Sequence, residues 1–246
     1  MRYLSILFLA FLISCKPSEP KLTAQQIIDK TIIYSGADKV ANSQIQFKFR
    51  DNSYIASRKS NGYFFLARNH KNDIGDTISD IVTNNGFIRE VNGHKITVAD
   101  SMANKYANSV NSVHYFSVLP YGLNDKAVKK KLLTPSTIKG KEYYKIEISF
   151  SEDGGGEDFE DVFVYWISKN DFLIDYLAYS YHTNGGGKRF RVLKEQCVKS
   201  GIRFVDYHNY QPLNKIIPLI DLDKEFETNQ LKKISEIVLK DIKVKL

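Results

Sequence analysis

Hydrophobic positions along the chain change period several times, and each change marks an element. Residues 4–13 are apolar apart from Ser5 and follow Arg2. A short apolar run behind a basic residue has the form of a secretory signal, and it falls short of the roughly 20 residues that span a bilayer. Thr23-Ala24-Gln25-Gln26 has the form of a capping box. Ala24, Ile27, Ile28, Thr31 and Ile32 then share a helical face and Gly36 ends it, so the spacing predicts a helix over 24–35.

From Gln44 the period shortens to two. Gln44-Ile45-Gln46-Phe47-Lys48-Phe49-Arg50 alternates strictly, as a half-buried strand does. Further strands are predicted at 53–59, 62–68, 77–83, 86–91 and 94–98, punctuated by Asn61-Gly62, Asn85-Gly86 and Asn92-Gly93, dipeptides that favour tight hairpins. Met102, Tyr106, Val110 and Val113 restore a helical period over 100–118, stopped by Pro120 and Gly122, and a short helix is predicted over 125–133. Strands follow at 135–140, 142–150, 162–167, 172–182, 188–198 and 202–210, then a short helix at 221–228 and a last strand at 234–246. About a dozen strands, two main helices and no regular βαβ alternation predict an α+β, mainly β chain. Its expected form is one large curved antiparallel sheet, an open half-barrel, with helices covering the concave face.

Composition agrees: aromatics make up 13% of the chain, with 15 Tyr and 15 Phe, and such residues favour strands. The net charge is +7. The lysines are scattered, with clusters at Lys129-Lys130-Lys131 and Lys232-Lys233, and no basic stripe carries interleaved stacking aromatics. Nucleic acid is therefore not an expected partner.

Leu12-Ile13-Ser14-Cys15 resembles the lipobox of bacterial lipoproteins. The resemblance implies cleavage before Cys15, a diacylglyceryl thioether on Cys15 and acylation of the new amino group. Several acyl chains anchor stably where one is marginal. The expected organisation is a signal peptide at 1–14, a lipidated tether at 15–21 that includes Lys16-Pro17-Ser18-Glu19-Pro20, and a single domain at 22–246. Lys16 stands where lipoproteins retained at the inner membrane often have Asp, which points to the outer membrane. With Cys15 acylated, Cys197 has no partner in the chain, so a disulfide framework and a cysteine zinc site are excluded. Cys197 lies in an alternating segment and is expected to be buried.

The order of elements resembles the open half-barrel of the lipoprotein-localisation factors LolA and LolB. Ala24, Ile27, Ile28 and Lys30 before Gly36 are similar to their opening helix, and Val164-Tyr165-Trp166-Ile167 with Phe172-Leu173-Ile174 to their central strand–turn–strand. The segments FSVLPYGLND, GGGEDFEDVFVYW, DYLAYSYHTNGGGKRFR and GIRFVDYHNYQP resemble an uncharacterised lipoprotein family of Bacteroidetes. Some of its members are labelled deoxyribose-phosphate aldolase. That chemistry needs a βα-barrel with a Schiff-base lysine, and the strand–helix repeat is missing.

Motifs with a defined chemistry are scarce. The five histidines, His70, His94, His114, His182 and His208, form no HExxH pair. There is no Gly-x-Ser-x-Gly elbow, and the two Gly-Gly-Gly runs lack the strand–helix context of a nucleotide loop, so no cofactor and no metal is expected. Two clusters stand out. Glu157, Asp158, Glu160 and Asp161 lie close to a predicted turn, and His182, Arg189 and Arg191 flank another. Strands of similar length would bring Asp158, Glu160, His182 and Arg189 to one end of the sheet as a polar pocket or a salt-bridged rim. Tyr176, Tyr179 and Tyr181, with Tyr207 and Tyr210, are candidates to line a concave surface for a lipid or other hydrophobic small molecule; sheet packing explains them equally. Three readings follow: a non-catalytic carrier of a hydrophobic ligand; an envelope enzyme acting through Asp158, His182 and Arg189, or a protein that binds a polar ligand or a hard cation such as calcium through this acidic, His and Arg cluster; and a scaffold module with no pocket.

Overall fold

The computed structural model describes residues 21–154, 159–182 and 185–246. The signal segment, Cys15 and the tether up to residue 20 lie outside the described residues, as does Asp158. The chain opens with helix α1 (Ala24–Tyr34). Its capping box forms as the sequence predicts: the Thr23 hydroxyl accepts from the Gln26 amide at 3.2 Å, and the Gln26 side chain accepts from the Thr23 amide at 2.9 Å. Ile27, Ile28 and Thr31 are its buried face.

Strands β1 (Gln44–Phe49), β2 (Asn52–Arg58), β3 (Phe64–Lys71), β4 (Thr77–Thr83), β5 (Gly86–Val91) and β6 (His94–Ile96) form the predicted antiparallel meander. Helix α2 (Asp100–Ser117) follows. Then come β7 (Val128–Leu132), β8 (Ser136–Ile138), β9 (Lys141–Phe150), β10 (Phe163–Ser168), β11 (Ile174–Tyr181), β12 (Gly187–Lys199) and β13 (Ile202–Pro212). A short helix α3 (Leu222–Glu227) precedes β14 (Leu231–Ile237) and β15 (Leu239–Lys245).

The helix predicted over 125–133 is instead the strand β7, an edge strand paired with β9. Lysine is a good helix former, but here Lys129, Lys130 and Lys131 guard an exposed sheet edge, where charge discourages pairing with another chain. Among the described residues the strands divide into a seven-stranded sheet, β15-β1-β2-β3-β4-β5-β6, and an eight-stranded sheet built on β14-β13-β12-β11-β10-β9-β7, with β8 on β9. The expected single sheet is thus divided in two, and the last stretch of chain is shared between the parts. β14 pairs with β13, β15 pairs with β1, and only Val238 separates them. The carboxylate of Asp206 on β13 accepts the Leu239 amide at 2.9 Å, fixing the step from one sheet to the other. Both sheets are antiparallel and neither closes on itself, with outer edges at β6 in the first and at β7 and β8 in the second.

Helices lie on both faces. Isoleucines of α1 and the end of α2 pack with Ile146, Ile148, Tyr165 and Leu177. On the opposite face α3 covers Trp166, Tyr176, Ala178 and Phe190. There Trp166 Nε1 donates to Asp223 at 3.1 Å and Lys145 Nζ lies 2.9 Å from the same carboxylate. The prediction that helices cover the concave face holds for α1 and α2, whereas α3 closes the other side because the period of two gives β10–β12 a second apolar face.

Much of α2's attachment to the first sheet is polar. Buried Asp80 on β4 lies 2.6 Å from both Arg68 and Arg89. Arg68 donates onward to Ser109 of α2 at 2.8 Å, and the Arg89 guanidinium lies 3.5 Å from the centre of the Tyr106 ring. Burial pushes the Asp80 carboxyl up, but hydrogen bonds from Arg89 and Arg68 outweigh it and hold the group below its ordinary range. The expected burial of Cys197 is not met: it lies in the outer half of β12, where residues 195–199 are exposed.

Candidate ligand-binding cleft

Between α2 and the second sheet lies an open cleft of about 1260 Å³. Its floor follows from strand alternation. On β11 the odd-numbered Tyr179 and Tyr181 face the cleft, and on β12 Arg189 and Arg191 do so, with Phe163 of β10 and Tyr207 of β13 alongside. Tyr179 pairs across the strands with Arg189 and Leu177 with Arg191, so Tyr179 and Arg191 are diagonal neighbours. The α2 wall is polar at Asn104, Asn108 and Ser112 and aromatic at its end, where Phe116 meets Tyr179 with ring centres 5.2 Å apart. Ile237 and Leu239, flanking the seam between the sheets, also line the space.

Of the tyrosines predicted to line a hydrophobic surface, Tyr179, Tyr181 and Tyr207 reach the cleft. Tyr176 does not: residues 176 and 179 fall on opposite sides of a strand, and Tyr176 packs under α3. Tyr210 lies on that same side against Phe226. Of the predicted polar pocket, Arg189 lines the cleft, Glu160 is exposed, and Asp158 lies outside the described residues. His182, with its side chain 65% exposed, sits with Nδ1 3.5 Å from Asp161, and Asp161 does line the cleft. Asp161 and Arg189 thus both line the cleft and His182 lies beside Asp161, which is less than the full set predicted.

Arg191, which the sequence places beside the same turn but outside the predicted pocket, lies deeper in the cleft. Its guanidinium carbon lies 3.9 Å from the centre of the Phe116 ring and 5.1 Å from that of Tyr179, and Nη2 donates to the Tyr179 hydroxyl at 3.2 Å. Its Nε is buried with no hydrogen-bond partner. The alternation Lys188-Arg189-Phe190-Arg191 hints that Arg191 shares the face of Arg189; that Phe116 covers it is a tertiary event.

Neighbouring phenols are held neutral. Burial pushes Tyr115 up to about 12 and Tyr165 and Tyr207 above their ordinary range. The buried hydroxyls of Tyr115 and Tyr165 influence each other's ionisation yet stop short of a well-formed hydrogen bond. Groups so reluctant to ionise bind and orient; they do not serve as bases near neutral pH. Among the described residues no cluster of three or more His, Cys, Asp or Glu is arranged to hold a metal ion.

Comparison with known proteins places the chain. A family model described as a family of unknown function (DUF6503) matches residues 2–238. The chain belongs to that family. No curated protein matches the DUF6503 sequence. Its fold is similar to that of a LolA superfamily protein from Nitrosomonas europaea, at 11% identity and a TM-score of 0.49, over 91% of this chain and 94% of the other. An outer membrane lipoprotein-sorting protein domain from Vibrio parahaemolyticus gives 7% identity and 0.42 over 91% and 94%. The Mycobacterium tuberculosis lipoprotein LppX gives 10% and 0.29 over 67% and 91%. Such distant likeness bears on neither ligand nor chemistry, so function is argued from the cleft.

Proposed function

We propose that this DUF6503 protein is a lipid-anchored envelope protein that binds a lipid or another hydrophobic ligand without catalysing a reaction. In this reading residues 1–14 are removed, acyl chains on Cys15 hold the protein at a membrane, the outer membrane by the Lys16 argument, residues 15–21 are the tether and 22–246 form the binding domain. Among the described residues no helix is long and apolar enough to cross a membrane, so these elements supply no helical anchor of their own.

The observation that supports binding is the cleft itself. Pockets for small ligands measure roughly 300–1,000 Å³, and here about 1260 Å³ stands open above a floor of Phe163, Tyr179, Tyr181 and Tyr207. Phe163 and Tyr207 are themselves buried, but Tyr179 and Tyr181 are only half-buried, and aromatic surface left accessible there is costly unless something covers it. One experiment tests anchor and ligand together. Full-length protein is purified from its membrane, extracted with organic solvent, and both fractions are analysed by mass spectrometry. The expected result is extractable lipid at near-stoichiometric amount, with covalent acyl chains remaining on an amino-terminal peptide that starts at Cys15. An unlipidated amino terminus removes the anchor; an empty extract removes the carrier. Cleaved lipid fragments in place of intact lipid would favour an enzyme using Asp161, His182 and Arg189.

A further inference from the structure

We propose that the ligand of this cleft is an amphipathic anion: an acyl chain lying on the aromatic floor, with a carboxylate or phosphate head group paired to Arg191 and flanked by Arg189. The proposal rests on the carrier reading and deepens it.

Three cationic side chains are buried among the described residues: Lys145 at 7% exposure, Arg203 at 7% and Arg191 at 8%. Two have carboxylates. Lys145 lies 2.9 Å from Asp223, and Arg203 lies 3.8 Å from Asp175 while also donating to the Ile174 carbonyl and the Gln196 side chain. Arg191 has none. No carboxylate oxygen among the described residues comes within 4.0 Å of it, and its one side-chain hydrogen bond is to the neutral hydroxyl of Tyr179. A guanidinium carries five N–H donors in a planar fork. Leaving most of them unused in a buried setting is unfavourable unless an anion compensates. Contact with the faces of Phe116 and Tyr179 offsets part of this and leaves the fork's edge free.

That edge opens on the cleft, since Arg191 is one of its lining residues. Arg189, two residues earlier on the same face, stacks 5.0 Å from the Tyr181 ring, and its Nη1 donates only to the neighbouring Lys188 carbonyl at 2.9 Å. The carboxylate among the described lining residues, Asp161, lies against His182. The cleft therefore presents two guanidiniums in register above apolar rings. A carboxylate or phosphate accepts two parallel N–H bonds from such a fork, which neutral or cationic head groups do not.

The test uses purified protein freed of bound lipid and N-phenyl-1-naphthylamine, an uncharged dye that brightens in apolar sites. Displacement is measured with three sixteen-carbon ligands below their micelle concentrations: the fatty acid, lysophosphatidic acid and the alcohol. The expected result is that at least one acid displaces the dye at a concentration ten or more times lower than the alcohol does. In Arg191→Gln the preference falls to near unity, and Arg191→Lys restores part of it. Preference for the fatty acid over lysophosphatidic acid identifies a free carboxylate as the head group, and the reverse identifies a phosphate. If the wild-type protein takes acid and alcohol equally, the inference is overturned while the carrier reading stands, a comparison that needs no variant. If neither the dye nor any of the three ligands binds, the carrier reading falls with it.

Discussion

His114 shows how one buried side chain ties α2 to solution conditions. It is almost fully buried, its Nε2 lies 3.1 Å from the Ala67 carbonyl on β3, and it meets the rings of Phe47 and Tyr54 edge-on at 5.8 and 5.5 Å. The carbonyl accepts, so Nε2 carries the proton of a neutral ring. Burial is the main force pushing its pKa down to about 4; the bond to Ala67 resists and the charge of Arg58 adds to the fall. The unfolded chain takes up this proton near pH 6.5 and the folded chain only near pH 4. The stability contribution is thus intact above pH 6.5 and lost as pH falls towards 4, by about 3 kcal/mol at 1.36 kcal/mol per unit. Urea unfolding at pH 7.5 and pH 4.5 should show this loss in the wild-type protein and a smaller one in His114→Gln. An equal loss in both would assign the pH dependence elsewhere. Residue burial of this kind is only partly legible in sequence. Tyr179 and Tyr181 were readable as one face of a strand, but their grouping with Tyr176 ignored the period of two. Arg191 was legible as a neighbour of Arg189 and His182, but its burial was not, because nothing local announces Phe116 above it.

At the scale of elements, the packing of α1 is decided by two glycines. The helix ends at Tyr34, and Gly36 follows with φ +69°. A Cβ built at Gly36 would lie 1.8 Å from the carbonyl oxygen of Gly201, in the turn joining β12 to β13. That turn has Ser200 at φ +49° and Gly201 at φ +75°, the two positive values of a tight hairpin. The Arg203 amide donates to the Ser35 carbonyl at 2.9 Å, so the two backbones are joined as well as close. Gly36→Ala meets both a clash with backbone and an unfavourable φ, and should cost about 2–4 kcal/mol. A shifted denaturation midpoint and faster amide exchange over 24–34 would report it; a loss below about 0.5 kcal/mol would show that the contact yields easily. Gly36 was legible as the helix stop, since helices commonly end on a left-handed glycine. Its second role was not, because the carbonyl it admits lies far along the chain. The reversed assignment of 125–133 has a similar cause: Lys propensity favours helix, and pairing with β9 overrides it.

For the whole molecule, the decisive element is the last stretch of chain. Alternation and glycine turns were enough to read an open antiparallel sheet, because each hairpin is local. The pairing of Gln44 with Lys245, Ile45 with Val244 and Phe49 with Leu239 spans nearly the full sequence and has no local mark. Yet β15 is what covers the edge of β1 away from β2, and β14 is what ties the same stretch to β13. Lys48 and Asp241 add an exposed ion pair between β1 and β15 at 2.8 Å, worth little alone. Removing residues 239–246 would leave β1 as an unprotected edge bearing Ile45 and Phe47, and would strip Leu239 from the cleft wall. The second sheet keeps β14, α1 and α3, so it retains most of its core. The truncated chain should therefore unfold in two steps where the full chain unfolds in one, self-associate through the bared edge, and hold the cleft ligand more weakly. Calorimetry with light scattering measures the first two effects. Adding the missing strand as a peptide should restore one transition and suppress association. A truncated protein that stays monomeric and melts in a single unshifted transition would mean that the seam is incidental and that α2 and the core in which Ile202 and Phe204 of β13 meet Ile45, Phe47 and Tyr54 hold the sheets together.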